Sequence, residues 1–425
     1  MVKKPFFSLA RPKLKYPVID DFAVHKIVDL PLPSKVTLYL ETGKSPGRLL
    51  PALGEHVKTG QKIMIHEGGG EYLISTVTGS IKEISDFTGT NGSEYKAVNI
   101  EVSGKDQFDE GLDFTGGLSE KALEFLSILP GVDPSLFIRD DIAVDTLLVF
   151  GIDRDLLVTT NQVAAGTQIE LISKGIEYLK GIFPLKKTLF LVPPELADSA
   201  AETGIRIEEV KGAYPDTLPV MILKDVLGIK ISNARDIRSS GIGVINAEGV
   251  VALASALDSG RIPVDKIITV IDRDNRATTV KARIGTPISH IFQALGIEVR
   301  YGDRIVMGGP MMGNAVYSED IAIRHDTDAL MVQDGGRIAW NSDSHCINCG
   351  ECVRACPAKV PVNMLVRLLE NGLYEEAAND YDLLSCIECG LCTYVCVAKI
   401  PIFHYIMLGK HEYARINNAE ELSNA

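Results

Sequence analysis

Residues 346–361 read CINCGECVRACPAKVP, and residues 386–401 read CIECGLCTYVCVAKIP, forty positions further on. Each run spaces its cysteines C-x-x-C-x-x-C-x-x-x-C, so that three thiolates sit on one tight loop and a fourth lies just beyond it. All eight cysteines of the 425-residue chain fall in these two runs. The spacing is the ligand pattern of a [4Fe–4S] cluster, and two copies specify a two-cluster ferredoxin-like module. Gly350 and Gly390 let each loop turn tightly, so that backbone N–H groups can point at cluster sulfurs. A disulfide framework would spread its cysteines as staples through a short chain, not gather them in triplets. Structural zinc also uses paired C-x-x-C, but a tetrahedral site has no use for the third evenly spaced cysteine followed by Cys-Pro.

In two-cluster modules the fourth cysteine of each run ligates the other cluster. That assigns Cys346, Cys349, Cys352 and Cys396 to one cluster, and Cys386, Cys389, Cys392 and Cys356 to the other. The repeat is imperfect, because Pro357 follows Cys356 whereas Val397 follows Cys396. Between the runs, Val362, Leu365, Val366 and Leu369 recur with helical spacing. Tyr374, Ala377, Ala378 and Tyr381 do so after the turn at Asn371-Gly372. A minimal two-cluster module has less between its motifs, which places this one inside a larger assembly.

Net charge of −13 argues against a nucleic-acid partner, and 46 % apolar residues suffice for several buried cores. No run approaches the ~20 apolar residues that span a bilayer. A basic start (Lys3, Lys4, Arg11, Lys13, Lys15) reads as a solvated tail or a docking arm for a membrane partner. Iron–sulfur loops suit a reducing, cytoplasmic setting.

Upstream, residues 28–103 read as short alternating strands separated by glycine turns. The segment GEHVKTGQKIMIHEGGGEYLISTVTGSIKEI resembles a biotinyl/lipoyl-type barrel-sandwich. Its tip is Gly68-Gly69-Gly70, with no lysine to modify, so a structural or docking role is expected. Past a linker (104–118), residues 119–223 switch to α/β. Continuous apolar runs at 146–150 and 188–192 flank one helix from about 163 to 183. No glycine-rich phosphate turn joins them: Gly131 stands alone in LPGVDPSLF, and Gly151 is followed by Ile-Asp-Arg-Asp. Residues 224–330 mix strands (267–271, 279–283, 304–307) with a helix at 288–295. GIGVINAEGVVALASAL reads as a strand turning into a helix, and Met311-Met312 as core filling.

This order of modules resembles the C subunit of the Rnf complex, the ion-translocating ferredoxin:NAD oxidoreductase. The most specific residues are ARIGTPISHIF, IVMGGPMMG and the two cysteine runs. More distant resemblances are the A subunit of the sodium-translocating NADH:quinone reductase and the NADH-binding flavoprotein of respiratory complex I. The resemblance implies a multidomain α+β and α/β chain: basic arm 1–27, barrel-sandwich 28–103, linker 104–118, Rossmann-like flavoprotein-type domain 119–223, β-grasp (SLBB) domain 224–330, two-cluster [4Fe–4S] ferredoxin domain 331–410 and tail 411–425. It implies an electron-relay subunit, peripheral on the cytoplasmic side of the membrane and inactive alone. Its partners would be a B-type ferredoxin subunit and membrane subunits, with a soluble ferredoxin or cytochrome as further candidates. It also implies FMN and NADH, held by a GGAGFPT-like loop and an ECEP-like turn. Those positions fall at SILPGVDPSLF, around Gly131, and at Asp153-Arg154-Asp155. The family's glycines are missing there, so the FMN and NADH site is expected to be degenerate. Asp153 and Asp155 read as surface aspartates flanking a turn, with ribose binding as the alternative. The rival functions are an intact NADH-oxidising, FMN-containing subunit and a structural scaffold subunit.

Overall fold

The computed structural model describes residues 12, 14–17, 19, 26–41, 51–65, 72–89, 93–109, 126–133, 143–229, 237, 240–342 and 344–423. The Gly68–Gly70 tip and Pro134, Leu136 and Phe137 lie outside the described residues.

Alternation of apolar and polar residues builds the first sheet, in the order Lys35–Glu41, Glu94–Val102, Gly79–Thr88, His56–Val57, all antiparallel. A two-stranded ribbon, Lys62–Met64 with Tyr72–Ile74, completes this half. One face of each strand supplies the shared core, where Val36, Leu38, Ile63, Ile81, Val98 and Ile100 meet.

Continuous apolar strands build the second sheet. It is parallel, in the order Arg206–Glu209, Lys187–Val192, Thr146–Phe150, Ile242–Asn246. Helices Thr160–Thr167, Ile169–Ile182 and Ala247–Ser259 cover one face over Leu147, Val149, Phe190 and Ile245. Helix Pro219–Leu227 covers the other over Leu148, Phe150 and Leu189. The helix expected over 163–183 is two helices. Gln168 leaves helical geometry (φ −133°, ψ 38°), and the Thr167 hydroxyl donates back to the Val163 carbonyl at 2.7 Å. The strand at 242–246 also departs from expectation. Sequence order groups it with residues 224–330, yet it lies parallel to Thr146–Phe150, with every residue buried as helices on both faces require.

The third sheet runs Asn314–Val316, Arg304–Met307, Ala329–Gln333, Asp265–Ile271, Ala277–Arg283, Val28–Asp29. Helix Ile288–Leu295 lies among its core residues through Ile288, Ile291 and Phe292. Val28 and Asp29 pair with Val280 and Lys281, so they belong to this sheet and not to the barrel they precede. Leu14 and Lys15, expected in a basic arm, pair with Tyr214 and Ala213.

The last segment is helical: Glu351–Ala355, Val362–Glu370, Tyr374–Asn379, Leu391–Val395 and Ile402–Ser423. Leu365, Val366, Leu369, Ala377 and Ile406 form its core, and Cys352, Cys356 and Cys392 join that core.

Candidate metal centre

The two cysteine runs fold as near-copies. Asn348 and Glu388 take positive φ (55° and 59°), then Gly350 and Gly390 (74° and 69°), then Lys359 and Lys399 (65° and 59°). One helical turn follows each glycine, Glu351–Ala355 and Leu391–Val395. Left-handed residues in a tight loop swing backbone N–H groups inward, as a concave site for a negatively charged group requires. The Glu388 N–H lies 3.4 Å from the Cys386 Sγ, within reach of a sulfur acceptor.

Cys352, Cys356, Cys389 and Cys392 are buried; Cys346, Cys349, Cys386 and Cys396 are half-buried. Burial pushes the Cys352 thiol up to about 12, with Cys346, Cys349 and Cys396 adding to the effect. Burial likewise raises Cys389 to about 12, and there the neighbouring thiols are Cys386 and Cys356. Cys392 is raised by burial, then by Cys386, Cys389 and Cys352. Burial also raises Cys386, while Lys410 opposes it. The fourth cysteine of each run is thus close enough to the other run to act on its thiols, Cys396 on Cys352 and Cys356 on Cys386 and Cys389. Lone thiols so buried keep their protons, and iron takes up the thiolates as it displaces them. Among the described residues no three His, Cys, Asp or Glu side chains converge as a single ion needs. The donor set, all thiol and more widely spaced, fits two cubanes.

Cations and donors grip the loop carbonyls. Arg354 donates to the Cys349 carbonyl at 2.9 Å and to Glu351 at 2.7 Å. Lys410, from the last helix, donates to the Cys386 carbonyl at 2.7 Å and to Glu388 at 2.6 Å. Tyr214, from the parallel-sheet region, donates its hydroxyl to the Cys389 carbonyl at 2.7 Å.

The second candidate site is built differently. Asp153 and Asp155 are 2 % and 7 % exposed, so they are not surface aspartates. Asp153 accepts the N–H groups of Asn161 (2.8 Å) and Gln162 (3.3 Å) at the start of helix Thr160–Thr167, together with the Gln162 amide. Asp155 accepts N–H groups from Leu156 at 2.7 Å, Met311 at 3.1 Å and Met312 at 2.7 Å. Burial lifts both carboxyls to about 6, against the lowering effect of these donors. Gly131 (φ 77°) donates its N–H to the His325 carbonyl at 2.9 Å. A Cβ there would stand 2.8 Å from the Glu248 Cβ and 2.9 Å from the Gly249 nitrogen. The crevice between strands Thr146–Phe150 and Ile242–Asn246, where parallel sheets bind ligands, is crossed by Arg154, which reaches Asn246 (3.2 Å) and Asp133 (3.6 Å). Of the described residues there, Gly131, Asp153 and Asp155 are hydrogen-bonded within the chain, whereas the buried Asn161 Oδ1, Gln162 Oε1 and His325 Nε2 have no partner.

The 4Fe-4S dicluster domain family matches residues 338–397, and the RnfC barrel sandwich hybrid domain family matches residues 22–105. The C subunit of a proton-translocating ferredoxin:NAD(+) oxidoreductase complex from Clostridium ljungdahlii is 25 % identical over 391 residues, 86 % of this chain and 85 % of that protein. The chain is RnfC-like. The C subunit of an ion-translocating oxidoreductase complex from Serratia proteamaculans is 24 % identical over 82 % of this chain, which spans 53 % of that longer relative. A solved NAD+-reducing [NiFe]-hydrogenase in its H2-reduced state superposes with a TM-score of 0.45 at 12 % identity, over 68 % of this chain and 63 % of that one.

In this RnfC-like chain, two [4Fe–4S] clusters belong to the two cysteine runs. Sequence reasoning missed Tyr214, Lys410 and Arg354 as supports of the cluster loops. Arg354 could have been found, since it lies inside the run at helical distance from Gly350. Tyr214 is 175 residues from its partner, and no local pattern marks it. Met311 and Met312 pack against Tyr214 and Cys389 as core filling, and in addition give their N–H groups to Asp155. Among the described residues no helix is long and apolar enough to cross a membrane.

Proposed function

We propose that this chain is the electron-relay subunit of an Rnf-type ion-translocating oxidoreductase. Single electrons pass through its two [4Fe–4S] clusters between a donor or acceptor and the membrane subunits. The observation that carries this is the pair of matched cysteine loops, most of whose cysteines pack in one small helical core. Cys346, Cys349, Cys352 and Cys396 hold one cluster; Cys386, Cys389, Cys392 and Cys356 hold the other. When bound, the clusters supply outer-sphere electron transfer, so no acid, base or nucleophile is required. The protein's part is to bury the thiolates, aim backbone N–H groups at sulfur and fix the separation between the clusters.

The parallel sheet is a Rossmann-like flavoprotein-type domain and the six-stranded sheet a β-grasp domain, both serving as body and docking frame. Neither FMN nor NADH is retained at the Gly131 crevice, because Gly131, Asp153 and Asp155 have their hydrogen bonds committed internally. Electrons therefore enter or leave through another protein: a B-type ferredoxin subunit, a soluble ferredoxin or a cytochrome. The subunit sits peripherally on the cytoplasmic side of the membrane.

Anaerobic purification with iron, sulfide and flavin counted per chain tests this. About eight irons and eight sulfides, no flavin after reconstitution and gel filtration, and clusters reduced by dithionite but not by NADH are expected. Near-stoichiometric flavin that NADH bleaches would overturn the flavin-free relay.

A further inference from the structure

A cavity of about 1540 Å³ opens between the six-stranded sheet and the cluster module. Arg304 and Gln333 line it on the sheet side. The second cysteine loop (Glu388, Gly390, Thr393, Cys396) and the last helix (Met407, Lys410) line it on the other. Pockets for small ligands run to roughly 300–1,000 Å³, so this space suits a protein lobe better than a metabolite.

Its lining is apolar and exposed in the way docking surfaces are. Trp340 is 89 % exposed, Leu408 47 %, Tyr394 45 % and Met407 36 %. Large aromatic and methionine side chains left in water on a concave face are the usual anchors of an interface. The charge is equally marked. Five cations line the groove (Arg273, Arg304, Arg337, Lys399, Lys410) against three carboxylates (Asp334, Glu388, Glu412), on a chain whose net charge is −13. Arg304 and Lys399, on facing walls, have no carboxylate partner among the described residues. An acidic partner is repelled by the molecule at large and attracted here, which both selects the landing place and orients the encounter. Cys396, a cluster ligand, is part of the wall. Electron tunnelling decays steeply with distance, so a redox partner gains most where a ligand reaches the surface.

We propose that this groove docks an acidic iron–sulfur protein and is the port through which the relay exchanges electrons with it. The proposal rests on the electron-relay function above. In the step itself one electron leaves a reduced cluster of this chain and reduces the partner's oxidised cluster. No bond forms or breaks.

The full chain with both clusters, reduced by dithionite and freed of excess reductant, is mixed anaerobically with a plant-type [2Fe–2S] ferredoxin as the acidic probe. A basic c-type cytochrome serves as its opposite. The second-order rate to the acidic probe should fall as salt rises, the reverse of what two acidic proteins without a local basic site show. The double charge reversal Arg304→Glu/Lys399→Glu should slow that rate at least about tenfold at low salt, and Trp340→Ala should slow it severalfold. Arg304→Lys should keep the parental rate, and cluster absorbance and midpoint potentials should not move in any variant. Lys82→Glu, on a strand that does not line the groove, is the control for bulk charge. A rate to the acidic probe that rises with salt, equal slowing of the acidic probe and the basic cytochrome by the double reversal, or equal effects of Lys82→Glu and the double reversal would each sink the proposal. Self-association of the chain that the double reversal abolishes would assign the groove to a second copy instead. Clusters absent from the parent chain would refute the relay itself; intact clusters with an indifferent groove would refute only the docking.

Discussion

The loop of residues 346–356 and the loop of residues 386–396 share turn geometry, helix and ligand spacing, yet the rest of the molecule treats them differently. The first is held mostly by its own neighbourhood: Arg354 to the Cys349 carbonyl, and Asn363 to Asn348 at 3.0 Å. Ile347 beside it is 54 % exposed. The second is held from afar, by Tyr214, by Lys410 and by close contact of Gly390 with the Met311 carbonyl. Its Cys389 packs into a cluster with Tyr214, Leu218 and Met221. Ligand spacing therefore fixes the cage, while distant residues fix its surroundings, and surroundings set potential and access. The first loop is held locally, and the second is anchored to the body.

The largest test of this contrast is ligand loss. Cys356→Ser lies in the first loop but should destroy the cluster of the second, leaving about half the iron and sulfide. Its remaining electron paramagnetic resonance spectrum should match that of Cys389→Ser and differ from that of Cys349→Ser. A match to Cys349→Ser would break the crossed assignment.

The equivalent glycines should then part company. Either alanine variant costs ~1–2 kcal/mol for a left-handed Cβ. At Gly350 the new methyl meets only the Arg354 Nη1, at 3.2 Å, and that flexible end can move. At Gly390 it meets the Met311 carbonyl oxygen at 2.7 Å, and crowding backbone adds ~1–3 kcal/mol. Denaturant unfolding of the holoprotein should show Gly390→Ala the more damaged; equal losses would mean the second loop is no better anchored than the first.

Removing one donor sharpens the same point. Tyr214→Phe leaves the Cys389 carbonyl without that partner and should cost ~1–3 kcal/mol. Arg354→Met, whose ion pair with Glu351 is half-exposed, should cost under ~1 kcal/mol. The comparison is of urea midpoints at constant slope.

A pH dependence gives the last test, at Asp155, which ties the Gly308–Gly313 turn next to the anchored loop. Its carboxyl is raised from 3.8 to about 6 by burial. Between those values the folded chain holds a proton that the unfolded chain has released. The contribution of this group is therefore complete below the unfolded value and lost as pH rises through about 6. The stability of the parent relative to Asp155→Asn should decline from about pH 4 to about pH 6 and level off above that; a flat or rising difference would show the carboxyl to be ionised throughout.

The cluster module is readable in the sequence because its information is local. Eight cysteines at fixed spacing, two loop glycines and a helical apolar period from Val362 to Leu369 all act within a few residues. Strand and helix types are readable for the same reason, down to the bounds Ile288–Leu295 and Arg304–Met307. Sheet membership is not. The run at 242–246 looks like any buried strand, and only its parallel partner Thr146–Phe150, about a hundred positions earlier, decides where it goes. Sequence alone puts Asp153 and Asp155 on the surface, because charge next to a turn usually means solvent. Here backbone donors from 161–162, a turn beyond Asp153, and from 311–312, far along the chain from Asp155, pull the carboxylates inside.

The strand pairings of the first residues bear on how the chain is made. Val28 and Asp29 find their partners only at Val280 and Lys281, and Leu14 and Lys15 find theirs at Tyr214 and Ala213. On a ribosome the N-terminus emerges first, so it waits unpaired while most of the polypeptide is synthesised. The barrel, whose strands pair within residues 35–102, can close early. The segments ahead of it are the late arrivals, and a chain stopped before about residue 283 leaves Val28 and Asp29 without their neighbouring strand Ala277–Arg283.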